Sequence, residues 1–122
     1  MFLKPILVVD DDDAIRTLVE RVLRREKYEV HSARDGHEAI EKLSHHDYGT
    51  VLLDLMMPRV DGLGVLQFLA RDRPEAPPVI VMTANLHVAA DAAESKPAFR
   101  ILSKPFDVSQ LVAHVKECVE PK

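Results

Sequence analysis

The sequence predicts an α/β fold, namely a single three-layer, doubly wound domain with a five-stranded parallel sheet between helices. Short runs rich in Val, Ile and Leu alternate with helical patterns five times along the chain, with connections of a few residues. The runs do not alternate apolar and polar residues, as expected for strands covered on both faces. A chain in which strands and helices alternate favours a parallel sheet whose strands are joined by right-handed crossovers. The 122 residues therefore form one predicted domain, 1–122.

Each predicted element follows from its own pattern. The strand-like runs are residues 5–10, 28–33, 50–54, 78–83 and, less clearly, 99–103. The first helix shows the spacing of one buried stripe, as do three later segments. The stripe residues are Ile15, Leu18, Val19, Val22 and Leu23, then Ala39, Ile40 and Leu43, then Leu63, Leu66 and Leu69, and finally Val108, Leu111, Val112, Val115 and Val119. The fourth helical slot, "NLHVAADAAES", has few large apolar residues and is the weakest element.

Composition excludes several classes of function. The net charge is -4 and the pI is near 5.8, and the basic residues are scattered or lie at helix ends, so we expect no direct contact with nucleic acid. The single cysteine, Cys118, cannot form an internal disulfide. Apolar runs are far shorter than the ~20 residues needed to cross a bilayer, and the first residues do not form a signal peptide. We expect a cytoplasmic protein without membrane contact.

Polar residues follow several predicted strands at one edge of the sheet. Asp10 and Asp11 end the first strand, Asp54 the third, Thr83 the fourth and Lys104 the fifth. In open parallel sheets, ligands bind beyond the carboxyl ends of the strands. Three carboxylates suit Mg²⁺, and a hydroxyl and an ammonium suit the oxygens of a phosphoryl group. Asp12 and Asp13 are better interpreted as cap and first-turn charges of the first helix.

Four segments, "ILVVDD", "VLLDLMMPRVDG", "VIVMTA" and "LSKPF", resemble the signature segments of response-regulator receiver domains, in matching order and spacing. The resemblance implies the strand order 2-1-3-4-5, with five helices, and a cis peptide before Pro105. It implies that Asp54 is the phosphoacceptor and that Asp10, Asp11, Asp54 and the backbone carbonyl of Met56 hold Mg²⁺. By the same resemblance, Thr83 bonds the phosphoryl group and Lys104 pairs with it.

The resemblance also implies a function. The chain is expected to be a signalling domain rather than an enzyme, taking a phosphoryl group from a histidine kinase or a histidine phosphotransfer protein. A downstream protein would then bind the face made by the fourth helix, fifth strand and fifth helix. Attack by a carboxylate requires in-line placement and neutralised phosphoryl oxygens, which a metal and a lysine supply without a general base.

Two other functions fit parts of the sequence. A receiver-like interaction module would bind partners without being phosphorylated. A phosphatase of the haloacid-dehalogenase type would use Asp10 and Asp12 as its aspartate pair, but Ala14 stands where that motif carries Thr or Val, and the chain lacks room for the larger core or a cap.

The sequence departs from the family at the predicted switch. Receivers usually carry Tyr or Phe three residues before the conserved lysine, whereas this chain has Ile101. Phe99 would point to the same face if the strand is regular and could partly fill that role. With Thr83, these are the candidate switch residues. Because the fourth helix is poor in apolar anchors and Pro97 follows it, we expect the readout to be a rearrangement of 84–99.

Overall fold

We analysed a computed structural model, which describes residues 3–55, 62–72, 77–84 and 98–120. Five strands form the sheet: β1 (Ile6–Val9), β2 (Val30–Ala33), β3 (Thr50–Asp54), β4 (Val79–Thr83) and β5 (Ala98–Ser103). Four helices are described: α1 (Asp13–Arg25), α2 (Gly36–His45), α3 (Gly62–Asp72) and α4 (Val108–Val119). Helix α4 is therefore the fifth predicted helix. The fourth, in the "NLHVAADAAES" segment, falls at residues outside the described ranges.

The sheet has the predicted topology. All four strand pairs are parallel, and the order is β2-β1-β3-β4-β5. The order reverses after β1, since β2 lies on one side of it and β3 on the other. This is the point at which open α/β sheets bind ligands, beyond the carboxyl ends of the strands. The doubly wound fold predicted from the alternation is confirmed.

Alternate residues of the buried strands serve two separate cores, which explains why the strands are apolar throughout. On one face, Leu7 and Val9 of β1 pack in a cluster that includes residues of α2 and α3. On the other face, Ile6 and Val8 pack in a cluster that includes residues of α1 and α4. The helical members are Ala39, Leu43, Val65, Leu66 and Leu69 on the first face, and Val19, Leu23, Leu111 and Val115 on the second.

The helix ends follow the expected capping chemistry. Three helices begin after an aspartate whose carboxylate accepts backbone N–H groups of the first turn: Asp12 for α1, Asp35 for α2 and Asp107 for α4.

Two residues of the predicted stripes, Leu18 and Val108, are exposed rather than buried. Both lie at the margin of their stripe, where helical spacing alone does not separate a buried position from a rim position.

No helix in the described ranges combines the length and the apolar character needed to cross a bilayer. Cys118 is a half-buried free thiol, and burial, the largest effect, raises its pKa.

Candidate functional site

Asp10 lies at the carboxyl end of β1 and is completely buried. Its N–H donates to the carbonyl of Ala33 at 3.2 Å, which continues the pairing with β2 by one residue. One carboxylate oxygen, Oδ1, accepts the N–H of Asp12 at 2.9 Å. The Asp10 side chain is thus fixed from the backbone side through Oδ1, and its second oxygen, Oδ2, accepts a hydrogen bond from Lys104 at 2.9 Å.

Asp54 brings a second buried carboxylate to the same edge. It is the last residue of β3, is only 4% exposed, and pairs with Met82 of β4. One carboxylate oxygen each from Asp10, Asp11 and Asp54 lie within 4.8 Å of one another, and Asp11 is the exposed member. Like charges this close repel unless a cation offsets them. An all-oxygen donor set of this size fits Mg²⁺ or another hard divalent cation.

Lys104 supplies a positive charge to this cluster. Its Nζ lies 2.9 Å from Oδ2 of Asp10 and 3.4 Å from Oδ2 of Asp54, and its side chain is 17% exposed. Burial is the largest single effect and would lower the pKa of Lys104. The hydrogen bond to Asp10 and the charges of Asp10 and Asp54 together outweigh it, so that the pKa is raised. Lys104 therefore stays protonated at neutral pH.

The end of β4 completes the edge. Thr83 is buried as the last residue of β4, and its carbonyl accepts the backbone N–H of Lys104 at 3.0 Å. The peptide bond from Lys104 to Pro105 is cis, as the resemblance implied. The structure thus brings Asp10, Asp11, Asp54, Thr83 and Lys104 to one end of the sheet. The Met56 carbonyl, the remaining predicted metal ligand, lies outside the described residues.

Asp12 and Asp13 serve α1 rather than the cluster, which confirms the structural interpretation of both residues. Oδ1 of Asp12 accepts the N–H groups of Ala14 at 2.9 Å and Ile15 at 3.1 Å. Asp13, in the first turn, pairs with Arg16. The Asp12 carboxylate caps the helix. This geometry therefore does not favour the phosphatase interpretation, in which Asp10 and Asp12 act as a pair.

The predicted switch positions lie on β5. Ile101 is half-buried and packs against the core on the α2 and α3 face. Phe99 was expected to share that face only if β5 is regular, and this condition is not met. Val79 pairs with Ala98 and Ile80 with Arg100, so Phe99 is an extra residue in an irregular register. The switch role of Phe99 therefore stays a prediction.

One residue beside the cluster escaped the sequence analysis. Arg16 donates from Nη1 to the backbone carbonyl of Asp10 at 2.9 Å, and Nη2 donates to Oδ1 of Asp13. Its side chain is only 12% exposed. The available signal was its position: Arg16 lies three and seven residues before Val19 and Leu23, so an arginine occupies the buried stripe of α1.

Comparison with known proteins identifies the family. Residues 6–116 match the response regulator receiver domain. The transcriptional regulatory protein SrrA of Staphylococcus aureus is 38% identical over 113 residues, which cover 91% of this chain but 46% of SrrA. The chain therefore spans about half the length of the curated relatives it matches.

Solved structures agree with this match. The response regulator TrrA of Thermotoga maritima, in complex with Mg²⁺ and BeF, is 36% identical with a TM-score of 0.85, and the match covers 94% of this chain and 98% of that one. The receiver domain of NtrX from Brucella abortus is 30% identical with a TM-score of 0.87, over 96% and 99% of the two chains. With this fold, this acidic cluster and these relatives, the chain belongs to the response regulator receiver domain family.

Proposed function

We propose that this receiver domain accepts a phosphoryl group on Asp54, from a histidine kinase or histidine phosphotransfer protein, in a Mg²⁺-dependent reaction. The observation that carries the proposal is the grouping of three carboxylates within 4.8 Å of one another with the Lys104 ammonium in contact with two of them. Two buried carboxylates and an exposed one, beside a protonated lysine, are suited to a dianionic group and a divalent cation. The family membership supports a role in two-component phosphorelay signalling.

Each residue has a distinct role in this proposal. Asp10 and Asp11 would hold Mg²⁺ together with Asp54 and the Met56 carbonyl, and the cation would neutralise phosphoryl oxygens. An Asp54 oxygen would attack phosphorus in line, forming a P–O bond as the P–N bond of the donor histidine breaks. Lys104 would then shift from the carboxylates toward the new phosphoryl charge, and the Thr83 hydroxyl would donate to a phosphoryl oxygen.

The output is proposed to pass through protein contacts. The curated relatives are named transcriptional regulators, and this chain matches about half of their length, so we place any contact with DNA outside it. The candidate docking face includes β5 and α4, which an ion pair between Arg100 and Glu117 joins at 2.7 Å. The 84–99 segment, expected to rearrange on phosphorylation, lies largely outside the described residues.

Mass spectrometry of the intact protein tests the acceptor assignment. Wild-type protein incubated with acetyl phosphate and Mg²⁺ should gain one phosphoryl group, and chelation of the metal should prevent the gain. Asp54→Asn should remain unmodified, whereas the matched variant Asp12→Asn, which changes a helix-capping carboxylate, should be modified like the wild type. Equal labelling of Asp54→Asn would refute the assignment. A wild type that stays unmodified and does not bind beryllium fluoride with Mg²⁺ would indicate an interaction module instead.

A further inference from the structure

We infer that Arg16 is a positioning residue for the proposed metal site, because it fixes the turn that presents Asp11. This inference rests on the proposed function, since it concerns the affinity of the acidic cluster for Mg²⁺. The Arg16 guanidinium links two acceptors, the carbonyl oxygen of Asp10 at 2.9 Å and the carboxylate of Asp13. Its side chain is largely shielded from solvent, at 12% exposure, so it is not a mobile surface charge.

The Asp10 carbonyl, to which Arg16 donates, lies directly before Asp11. It belongs to the peptide unit between Asp10 and Asp11, and a planar peptide unit carries both of its flanking Cα atoms with it. The Asp10 side chain has its own restraints, from Lys104 and from the N–H of Asp12. Among the described contacts, the Asp11 side chain has no hydrogen bond of its own. The orientation of Asp11 therefore depends on this peptide unit, and Arg16 restrains that unit.

The charge of Arg16 and its positioning role predict opposite changes in Mg²⁺ affinity when Arg16 is replaced. An affinity measurement can therefore distinguish the two. A free guanidinium close to the cluster would repel Mg²⁺, and removing it would strengthen metal binding. Here the charge of Arg16 is paired with the Asp13 carboxylate, which weakens that repulsion. Geometry predicts the reverse, because losing the residues that orient metal ligands typically weakens binding by about 10- to 100-fold. We expect positioning to outweigh repulsion.

The test compares Mg²⁺ affinity, measured by calorimetry on the full chain, across matched variants. Arg16→Gln should bind Mg²⁺ about tenfold more weakly than the wild type. Arg24→Gln is the control, since Arg24 also lies on α1 and donates to a backbone carbonyl, that of Val30 at 3.2 Å, away from the cluster. Its affinity should stay within about twofold of the wild type. Arg16→Lys should recover only part of the loss, because an ammonium lacks the planar fork that bridges two acceptors.

A second measurement is independent of the metal. The N–H of Asp12 donates to Oδ1 of Asp10 across the same turn, so its hydrogen exchange in metal-free protein reports the order of that turn. Exchange at Asp12 should accelerate several-fold in Arg16→Gln and not in Arg24→Gln. Urea unfolding of both variants without metal checks that each is folded.

The outcomes separate the two proposals. If the wild type itself does not bind Mg²⁺, the proposed function fails. If the wild type binds Mg²⁺ and Arg16→Gln binds it equally or more tightly, the function stands and the positioning role is wrong. Full recovery of affinity in Arg16→Lys would also overturn the bridging role.

Discussion

Lys104 neutralises two buried carboxylates, and replacing it with methionine isolates that role. The substitution keeps much of the apolar stem and removes the ammonium that lies 2.9 Å from Asp10 and 3.4 Å from Asp54. Both carboxylates are almost completely shielded from water, at 0% and 4% exposure. The Lys104→Met protein would therefore carry two buried carboxylates that have lost the ammonium in contact with both.

The expected loss of stability follows from these distances. At an effective dielectric constant of about 20, charges at these separations attract by roughly 6 and 5 kcal/mol before desolvation. The net effect is smaller, because Lys104 is dehydrated in the fold and is still 17% exposed to solvent. Removing one partner of a buried pair typically costs about 3–5 kcal/mol. We expect the metal-free variant to lose about 3 kcal/mol of unfolding free energy.

Mg²⁺ should reduce that loss, since the cation would replace the missing positive charge. Lys104 also repels the metal, so the variant should bind Mg²⁺ about tenfold more tightly. That factor would narrow the stability gap by about 1.4 kcal/mol at saturating metal. Urea unfolding followed by far-UV circular dichroism suits this chain, which has no tryptophan.

Lys116→Met provides the control. Lys116 of α4 pairs at 3.5 Å with Glu26, which follows the last residue of α1, and both side chains are substantially exposed. Such pairs are typically worth less than about 1 kcal/mol, so this variant should lose little stability and show no response to Mg²⁺ beyond that of the wild type. Equal stability losses for the two variants, or weaker Mg²⁺ binding by Lys104→Met, would refute the electrostatic account of the site.

Three further predictions concern the rest of the fold. Burial raises the pKa of Tyr28 and of Tyr48 to about 12, helped at Tyr28 by the Glu120 carboxylate and at Tyr48 by Glu29. The unfolded pKa is about 10, so their contribution to stability is complete below pH 10 and is lost as the pH rises through 12. Because these are the only two tyrosines, phenolate absorbance should appear near pH 12 in native protein and near pH 10 in urea; a native titration near pH 10 would contradict this. Gly49→Ala should cost about 1–3 kcal/mol of unfolding free energy, since the new methyl would lie 2.8 Å from Cγ1 of Val119, and adding Val119→Ala should restore part of the loss in a double-mutant cycle. Asp12→Ala should cost about 1 kcal/mol through the lost cap and leave Mg²⁺ affinity within about twofold, a result that a strong loss of affinity in calorimetry would disprove.

Much of the fold could be read from local patterns. Continuous apolar runs identified the buried strands, because strands covered on both faces have no solvated side to mark with polar residues. Helical spacing identified the buried residues Val19 and Leu23, and the same spacing failed at Leu18, which is exposed. An apolar stripe identifies which face of a helix is buried. Whether a residue at the edge of that face is buried depends on how closely the neighbouring element packs.

The candidate site was likewise predictable in part from the sequence and in part only from the tertiary structure. The sequence by itself determined which residues end the strands, and parallel topology brings those ends together, so Asp10, Asp54, Thr83 and Lys104 could be grouped in advance. Only the tertiary structure decided that Lys104 contacts both buried carboxylates, that β5 is irregular at Phe99, and that Arg16 bonds the Asp10 carbonyl. The physical reason is that side-chain type and period are local properties of the chain. Register shifts, ion-pair distances and hydrogen bonds to a backbone carbonyl depend on how segments distant in the sequence pack against one another.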